Sequence, residues 1–519
     1  MGKLKFMSER ALISVTNKDG LEEFAAALHK RGIEIVASGG TATMIESVGI
    51  PVATVESITS YPSILGGRVK TLHPLIFGAV LGDTNNPDHL KDMKEYGMTP
   101  FSLLICNFYD FSSALKDKAG TLEKMIEKID VGGPSMLRAA AKNYTSCIPL
   151  FNTDQYKEII KDIDDSGSLK SISPEKRLSY SAKAFRYSSD YENIIAGFFD
   201  NYLNTEDKLP EHLHYNLSKV TDMRYGENPF QKAALYSRGN EKEWTQLQGK
   251  ELSYNNYADL QSAREIVLNY DRPAVSIIKH SNPCGFGLDK NQTEAYKKAV
   301  TTDPVSYFGG IVGFNTEVNE ESALELKKSF LECIIAPSFS EKAREILKKK
   351  KNLRLLTFQG REIRPDLELK VLDVGILVQE RDVSGLNEDN WECVTNTKFN
   401  EEDRDALRIG WDLVKHVKSN AIVFASAEKL LGVGAGQMSR VDSVKIAMRK
   451  SREAKLSLKD SILASDAFFP FSDVIDLVKK EKIRGIIQPG GSVRDQEVID
   501  ACNEENIFMV FTHQRHFRH

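Results

Sequence analysis

ALISVTNKDGLEEFAAALHKRGIEIVASGG, residues 11–40, decides the fold of the first part of the chain. ALISV (11–15) and IEIVA (33–37) are short, nearly unbroken apolar runs. Strands buried on both faces of a parallel sheet read this way. Residues 20–31 between them carry a helical pattern. LLICN (103–107) is a third strand of the same kind, and residues 134–143 read as another helix. Strand alternating with helix predicts an α/β layer fold.

Working outward, residues 173–203 keep a helical pattern with no breaker and are expected to close a first domain spanning 1–203. The polar stretch NTEDKLPEHLHYN (204–216) reads as a linker to a second domain, 217–519. There the alternation resumes. VSIIK (275–279), GGIVGF (309–314), CIIAP (333–337), AIVFA (421–425), LLGVG (430–434) and RGIIQP (484–489) read as strands. Helices are expected at 319–330, 340–350, 402–418 and 472–482. So long a domain is expected to split into two subdomains near 355–400. Their similar rhythm is that of a diverged duplication.

Composition sets the class. The chain has 519 residues, too many for one core, with 41% hydrophobic and 27% charged residues, as in ordinary globular proteins. Lys and Arg total 69 against 73 Asp and Glu, a net charge of −4. That balance calls for neither a nucleic-acid polymer nor an anionic membrane as partner. The six cysteines contain no CxxC pair, which argues against a disulfide framework or a zinc site and fits a reducing cytoplasm. The apolar stretch after MGKLKFMSER is too short for a signal sequence, and no run of about 18 apolar residues suggests a membrane span.

The chemistry gathers in two clusters. In the first, SVTNKDG (14–20) and SGGT (38–41) each follow a strand and open a helix. Gly39 and Gly40 let backbone approach a ligand, and Ser38 and Thr41 offer hydroxyls beside helix amides, which suits a phosphate. The same residues also suit a plain strand-to-helix turn with Thr41 as N-cap. GGRVKTLHP (66–74) packs Arg68, Lys70 and His73 between glycines and a proline, an arrangement that points to a bound anion. CNFYD (106–110) puts Asn107 and Tyr109 just past a strand. DVGGPSMLRAAAKN (130–143) sets Asp130 before a Gly-Gly turn, with Lys142 at the far end of the helix. Asp130 is a cap or a general acid–base tuned by Lys70 or Lys142.

In the second cluster, IIKHSNPCGFG (277–287) ends a buried strand in Lys279-His280. A fixed cation beside a group titrating near neutrality can move a proton while stabilising developing negative charge. Pro283-Cys284 resembles the start of a zinc-deaminase motif, but the second Cys and the HxE are missing, so zinc chemistry is not expected. MRYGENPFQ (223–231) offers Arg224 and Tyr225 for a phosphate. GVGAGQMSR (432–440) is glycine-rich but lacks the dinucleotide fingerprint and the Walker lysine. SDAFFPFSD (465–473) could wall a pocket for a flat ring or sit in the core. The tail RHFRH (515–519) suits a phosphate clamp or a frayed end.

These ordered motifs, with SNAIVFA (419–425), run along essentially the whole chain. On them the sequence resembles the bifunctional AICAR transformylase/IMP cyclohydrolase family of purine synthesis. The resemblance implies a methylglyoxal-synthase-like N-terminal domain for the cyclohydrolase. It also implies a C-terminal transformylase domain of two cytidine-deaminase-like subdomains without zinc. It implies 10-formyltetrahydrofolate as co-substrate, a nucleotide substrate, no catalytic metal, a homodimer, and room for a monovalent cation near Asp466. Carried over by motif, Ser14, Lys18, Ser38, Gly39, Thr41, Arg68, Thr71 and Asn107 would bind the cyclohydrolase nucleotide. Lys70, Asp130, Tyr109 and Lys142 would act on it. In the transformylase site, Lys279, His280 and Asn420 would be catalytic. Arg224, Tyr225, Asn256, Arg440, Arg515 and His519 would hold the nucleotide or its base. Phe308, Gly309, Glu332, Asp466, Phe468 and Phe471 would line the folate side. Glu332 departs from the Asp of some relatives. The rivals are a monofunctional formyltransferase, opposed by intact Arg68, Lys70 and Asp130, and a nucleotide sensor, opposed by the Lys279-His280 pair.

Overall fold

The structure is a computed structural model that describes residues 9–115, 121–204, 209–237, 244–360 and 367–519. The chain divides into two units, Met1–Asn216 and Leu217–His519. Residues 205–208 of the expected linker lie outside the described residues.

The first unit is built on a five-stranded parallel sheet. Its order is Val52–Thr54, Glu34–Ala37, Arg10–Ser14, Leu103–Cys106, Ile148–Leu150. The three strands read from sequence occupy its centre. Leu12, Ile13, Leu103 and Leu104 are fully buried, each side chain worth ~1.5–3 kcal/mol. The helix Leu21–Lys30 buries Leu21, Phe24, Ala25 and Leu28, one stripe at helical spacing. The long helix predicted at 173–203 is Pro174–Leu203, with Ser173 as N-cap and a proline in its first turn. It packs along the helix Gly132–Lys142, and its Ser181 hydroxyl donates to the Ala141 carbonyl at 2.7 Å. In this strand order the chain reverses direction across the sheet between Arg10–Ser14 and Leu103–Cys106. The carboxyl ends of those two strands therefore border a crevice, the position where open α/β sheets bind ligands.

The second unit contains two six-stranded sheets of the same topology. The first runs Asn282–Leu288, Ala274–Lys279, Ile311–Phe314, Cys333–Ala336, Arg354–Phe358, Trp244–Gln248. The second runs Leu430–Gly434, Ile422–Ala425, Ile462–Ser465, Gly485–Gln488, Phe508–Phe511, Glu392–Cys393. Strand for strand, the directions agree: antiparallel, antiparallel, parallel, parallel, antiparallel. The rhythm seen in sequence is thus a structural duplication.

Glycines mark the same device in both copies. A β-carbon on Gly287 would lie 2.1 Å from the Ala295 carbonyl oxygen, and one on Gly434 would lie 1.9 Å from that of Ser443. Each hairpin strand presses on the next helix so closely that only glycine fits. This explains Gly432 and Gly434 of GVGAG. The helices Tyr254–Leu268 and Glu401–Lys415 share one apolar core with both sheets, including Leu260, Ile335, Leu407, Val423 and Phe508. Between the copies runs a hairpin, Leu367–Leu372 and Gly375–Glu380. Among the described residues no helix is long and apolar enough to cross a membrane.

Candidate functional site

The crevice of the first unit opens into a cavity of about 680 Å³. Small-molecule sites occupy roughly 300–1,000 Å³. Ser14, Lys18, Ser38, Thr41, Arg68 and Lys70 line it, and so do Thr71, Asn107, Tyr109 and Asp130. Ser38 is the N-cap of the helix Gly39–Ser47, in place of the expected Thr41. Its hydroxyl pairs with Ser14 at 3.1 Å and caps no helix amide. The Lys18 ammonium donates to the Gly40 carbonyl at 3.1 Å, and the Lys70 ammonium sits against Gly39. Two cations and two hydroxyls thus surround a helix N-terminus, an arrangement that binds anions.

The opposite wall begins at Asp130. Its carboxylate accepts from the Gly133 amide at 2.9 Å, and its own backbone N–H donates to the Tyr191 hydroxyl at 2.8 Å. The long helix therefore sets the position of this acid. Burial raises the Asp130 carboxyl above its ordinary pKa, although the Gly133 and Gly132 amides favour the charged form. Tyr109 is exposed at the cavity wall.

Several expectations change. Asn107 lines the cavity, but its carboxamide oxygen accepts from the Thr16 and Asn17 amides at 2.6 and 3.1 Å, and its nitrogen donates to the Asn17 carbonyl. It ties down the loop carrying Lys18. His73 caps the helix Pro74–Leu81 by accepting from the Leu75 amide at 3.2 Å. Lys142 is the last residue of the helix that begins at Gly132, exposed and absent from the cavity wall. A rise of ~1.5 Å per residue carries it about 15 Å from that helix's start. The sequence also missed Glu127, which pairs with Arg68 at the cavity. Nothing local announces that pairing.

In the second unit the strand ends at Lys279, one residue before the expected Lys279-His280 end, and His280 and Ser281 form the tip of a hairpin to Asn282. Both tip residues are left-handed, with φ of 54° and 60°. Left-handed residues other than glycine cost roughly 1–2 kcal/mol each. The tip is clamped on both sides. The Asp259 carboxylate accepts from the Ser281 amide at 2.6 Å and the His280 amide at 3.3 Å. The Asn282 side chain donates to the His280 carbonyl and accepts from the Lys418 amide, both at 2.9 Å. The His280 side chain is exposed.

The Lys279 ammonium donates to the carbonyl of Phe308, one of the residues expected on the folate side, at 2.9 Å. The Phe308 ring, 57% exposed, lies 5.2 Å from that of Phe330, and the Gly309 amide donates to the Phe330 carbonyl at 2.8 Å. Lys418 leads into Ser419–Asn420, joined by a cis peptide. Asn420 donates to the Gln437 and Met438 carbonyls and accepts from Arg440 at 2.8 Å. Arg440 forms a buried ion pair with Asp466. The other Asp466 carboxylate oxygen accepts from the Ser419 hydroxyl. That carboxylate, expected near a cation, is therefore taken up by protein.

Asn256 likewise completes a capping box with Ser253, and its nitrogen donates to Glu332 at 3.0 Å. Glu332 also lies 3.7 Å from Arg354. Phe468 and Phe471 are partly exposed, while Phe469 is core. Arg224 and Tyr225 follow the strand Ser218–Met223, with the guanidinium 5.7 Å from the ring. Among the described residues no hydrogen bond or ion pair joins them to the Lys279–Asp466 network.

The tail is anchored. His516 and Arg518 turn inward: the His516 amide donates to the Asp466 carbonyl, and the Ser419 amide donates to the Arg518 carbonyl at 2.9 Å. Arg515, Phe517 and His519 are exposed, with Phe517 between the other two. Among the described residues no group of three or more His, Cys, Asp or Glu side chains is placed to hold a metal ion.

Two family models match along the chain. The family described as AICARFT/IMPCHase bienzyme matches residues 140–450, and the MGS-like domain matches residues 20–135. A bifunctional purine biosynthesis protein PurH of Lactococcus lactis subsp. cremoris is 44% identical over 522 residues, covering 99% of this chain and 100% of that one. Its counterpart in Leptospira biflexa is 44% identical over 513 residues, with 98% and 99% covered. That of Halalkalibacterium halodurans is 43% identical over 519 residues, with 99% and 100% covered. The chain belongs to the AICARFT/IMPCHase bienzyme family, the bifunctional PurH proteins.

Proposed function

We propose that this bifunctional enzyme of purine synthesis closes the ring in its N-terminal cavity and transfers the formyl group at the Lys279–His280 hairpin. The carrying observation is that two chemically complete polar centres lie in separate units. One is an anion cradle facing a half-buried acid; the other is a lysine–histidine tip beside exposed aromatic rings.

In the N-terminal cavity, Lys18, Lys70 and the helix at Gly39 hold the phosphate side of FAICAR, with Arg68 at the rim. The carboxamide nitrogen attacks the formamido carbon, forming the new C–N bond. Lys70 stabilises the oxyanion on the former carbonyl oxygen. Asp130 takes a proton from the attacking nitrogen, and Tyr109 protonates the oxyanion to a hydroxyl. Asp130 then passes its proton to that hydroxyl, which leaves as water, while the formamido nitrogen forms the C=N bond and returns its own proton to Tyr109. A carboxyl with a raised pKa is suited to exchange protons near neutrality.

At the hairpin, the 5-amino group of AICAR attacks the formyl carbon of 10-formyltetrahydrofolate. His280 accepts the amine's proton, and Lys279 stabilises the tetrahedral oxyanion. The carbon–N10 bond then breaks, and the folate nitrogen leaves protonated as tetrahydrofolate. Phe308 offers an apolar face for the folate ring. The exposed apolar hairpin, with Val371 at 78% and Val374 at 93%, supports a homodimer in which a second copy covers it.

The test separates the two activities. Lys70→Ala is expected to lower closure of FAICAR by ~10²–10³ and to spare formyl transfer. His280→Ala is expected to do the reverse. Full activity of either variant in its own assay rules out that residue's role.

A further inference from the structure

We propose that Asp259 is a positioning residue for formyl transfer, holding the turn that aims the His280 imidazole. The inference rests on the reading of His280 as the proton acceptor. Asp259 lies in the second turn of the helix Tyr254–Leu268, and its carboxylate is half-buried. Among the described residues its hydrogen bonds all go to the hairpin tip: the amides of Ser281 and His280, and the Ser281 hydroxyl at 3.4 Å.

Two-residue hairpin tips of this kind favour Asn-Gly or Asp-Gly, because both positions need positive φ. His280-Ser281 has neither residue, so local preference does not supply the conformation. A single carboxylate that accepts from both successive amides ties the left-handed pair to the helix Tyr254–Leu268 and offsets part of its conformational cost. Side-chain direction follows backbone conformation. Loss of the carboxylate would therefore swing the imidazole without removing it. Asn282 holds only the opposite side of the turn, through the His280 carbonyl. Asp259 needs no contact with substrate for this role.

The experiment uses the full-length enzyme and follows tetrahydrofolate release, with FAICAR closure and thermal unfolding as checks on folding. Asp259→Ala is expected to lower kcat for formyl transfer roughly 30- to 100-fold while KM for AICAR stays within about twofold. Adding Ser281→Gly supplies a residue at ease with positive φ and is expected to restore kcat at least about fivefold, while Ser281→Gly alone stays near wild type. A kcat for Asp259→Ala within about twofold of wild type, or no recovery in the double variant, overturns the proposal. Should Asp259→Ala fail to fold, Asp259→Asn keeps one acceptor for the Ser281 amide. It is then expected to show a smaller kcat loss that the same glycine repairs; a loss the glycine leaves unchanged overturns the proposal. His280→Ala is run alongside. If it is fully active, the reading of His280 fails and this proposal with it. If it is inactive while Asp259→Ala is active, the positioning role alone fails.

Discussion

The Lys70 ammonium occupies the space that a β-carbon on Gly39 would need, 2.4 Å from that carbon's ideal position. Gly39 also has a φ of 44°, which side chains other than glycine adopt at a cost. The backbone angle therefore selects glycine at this point, and the Lys70 ammonium fills the room its missing side chain leaves. Through this contact SGGT and GGRVKTLHP become one site.

Gly39→Ala is accordingly expected to displace Lys70 and slow FAICAR closure ~10- to 100-fold, since misplacement by about 1 Å can cost that much. Formyl transfer should not change. Steady-state rates of IMP formation from FAICAR and of tetrahydrofolate release check this. An unaltered closure rate would mean that the ammonium's place beside Gly39 is not the one catalysis uses.

Asp130 makes a prediction about pH. Desolvation raises its folded-state pKa above the unfolded value. The native state thus binds the proton more tightly. The stabilising contribution is complete below the unfolded carboxylate pKa, roughly 4, and is lost as pH rises through the raised native value. At neutral pH the charged carboxylate opposes folding. Asp130→Asn keeps an acceptor for the Gly133 amide and removes the charge. It should raise the unfolding midpoint of the N-terminal unit at pH 7, with the gain vanishing near pH ~4. Closure should nevertheless fall ~10²–10⁴-fold, as when a general base is lost. Melting curves at the two pH values and a closure assay decide it.

Much of this architecture was legible because the strands are apolar runs and the motifs follow them. ALISV and IEIVA needed no tertiary information to be read as central strands. What escaped was side-chain commitment. Asn107 bonds amides 90 and 91 positions away, a distance at which no local pattern survives. Asn420 and Asn256 looked free for a ligand, yet their carboxamides are bonded to Arg440 and Glu332. Lys142 lay close to Asp130 in sequence, and the helix between them carried it out of reach. The Lys279-His280 pair was visible; its left-handed tip was not, because neither His280 nor Ser281 is a residue that announces such a turn.

The buried pair of Arg440 and Asp466 should behave as one coupled unit. Asp466 is fully buried and Arg440 is 8% exposed. Removing one partner leaves an uncompensated buried charge, which costs about 3–5 kcal/mol. Asp466→Ala and Arg440→Ala should each destabilise the C-terminal unit by that amount, and the double variant by less than their sum. Arg440 also holds the Asn420 carboxamide, so formyl transfer should fall with either change. Denaturant unfolding of the four proteins gives the coupling; additive losses would show that the two charges do not stabilise each other.

The last prediction concerns Arg518, one residue from the C-terminus. Its guanidinium donates to the Ser262 hydroxyl at 3.2 Å in the first copy and to the His416 carbonyl at 2.8 Å in the second. Its backbone pairs with Ser419 beside the cis peptide. Burial lowers its pKa, with Glu265 acting in the opposite direction, so the charge is held at a cost that its acceptors offset. Charge-assisted hydrogen bonds contribute roughly 1.5–3 kcal/mol each. Arg518→Ala should therefore lower the stability of the C-terminal unit by about 2–4 kcal/mol and reduce formyl transfer, leaving closure at its full rate. Arg518→Lys presents one ammonium in place of a planar fork and cannot span both acceptors, so it should rescue only partly. Full rescue by lysine would show that charge alone, and not the bridge between the two copies, is what the tail provides.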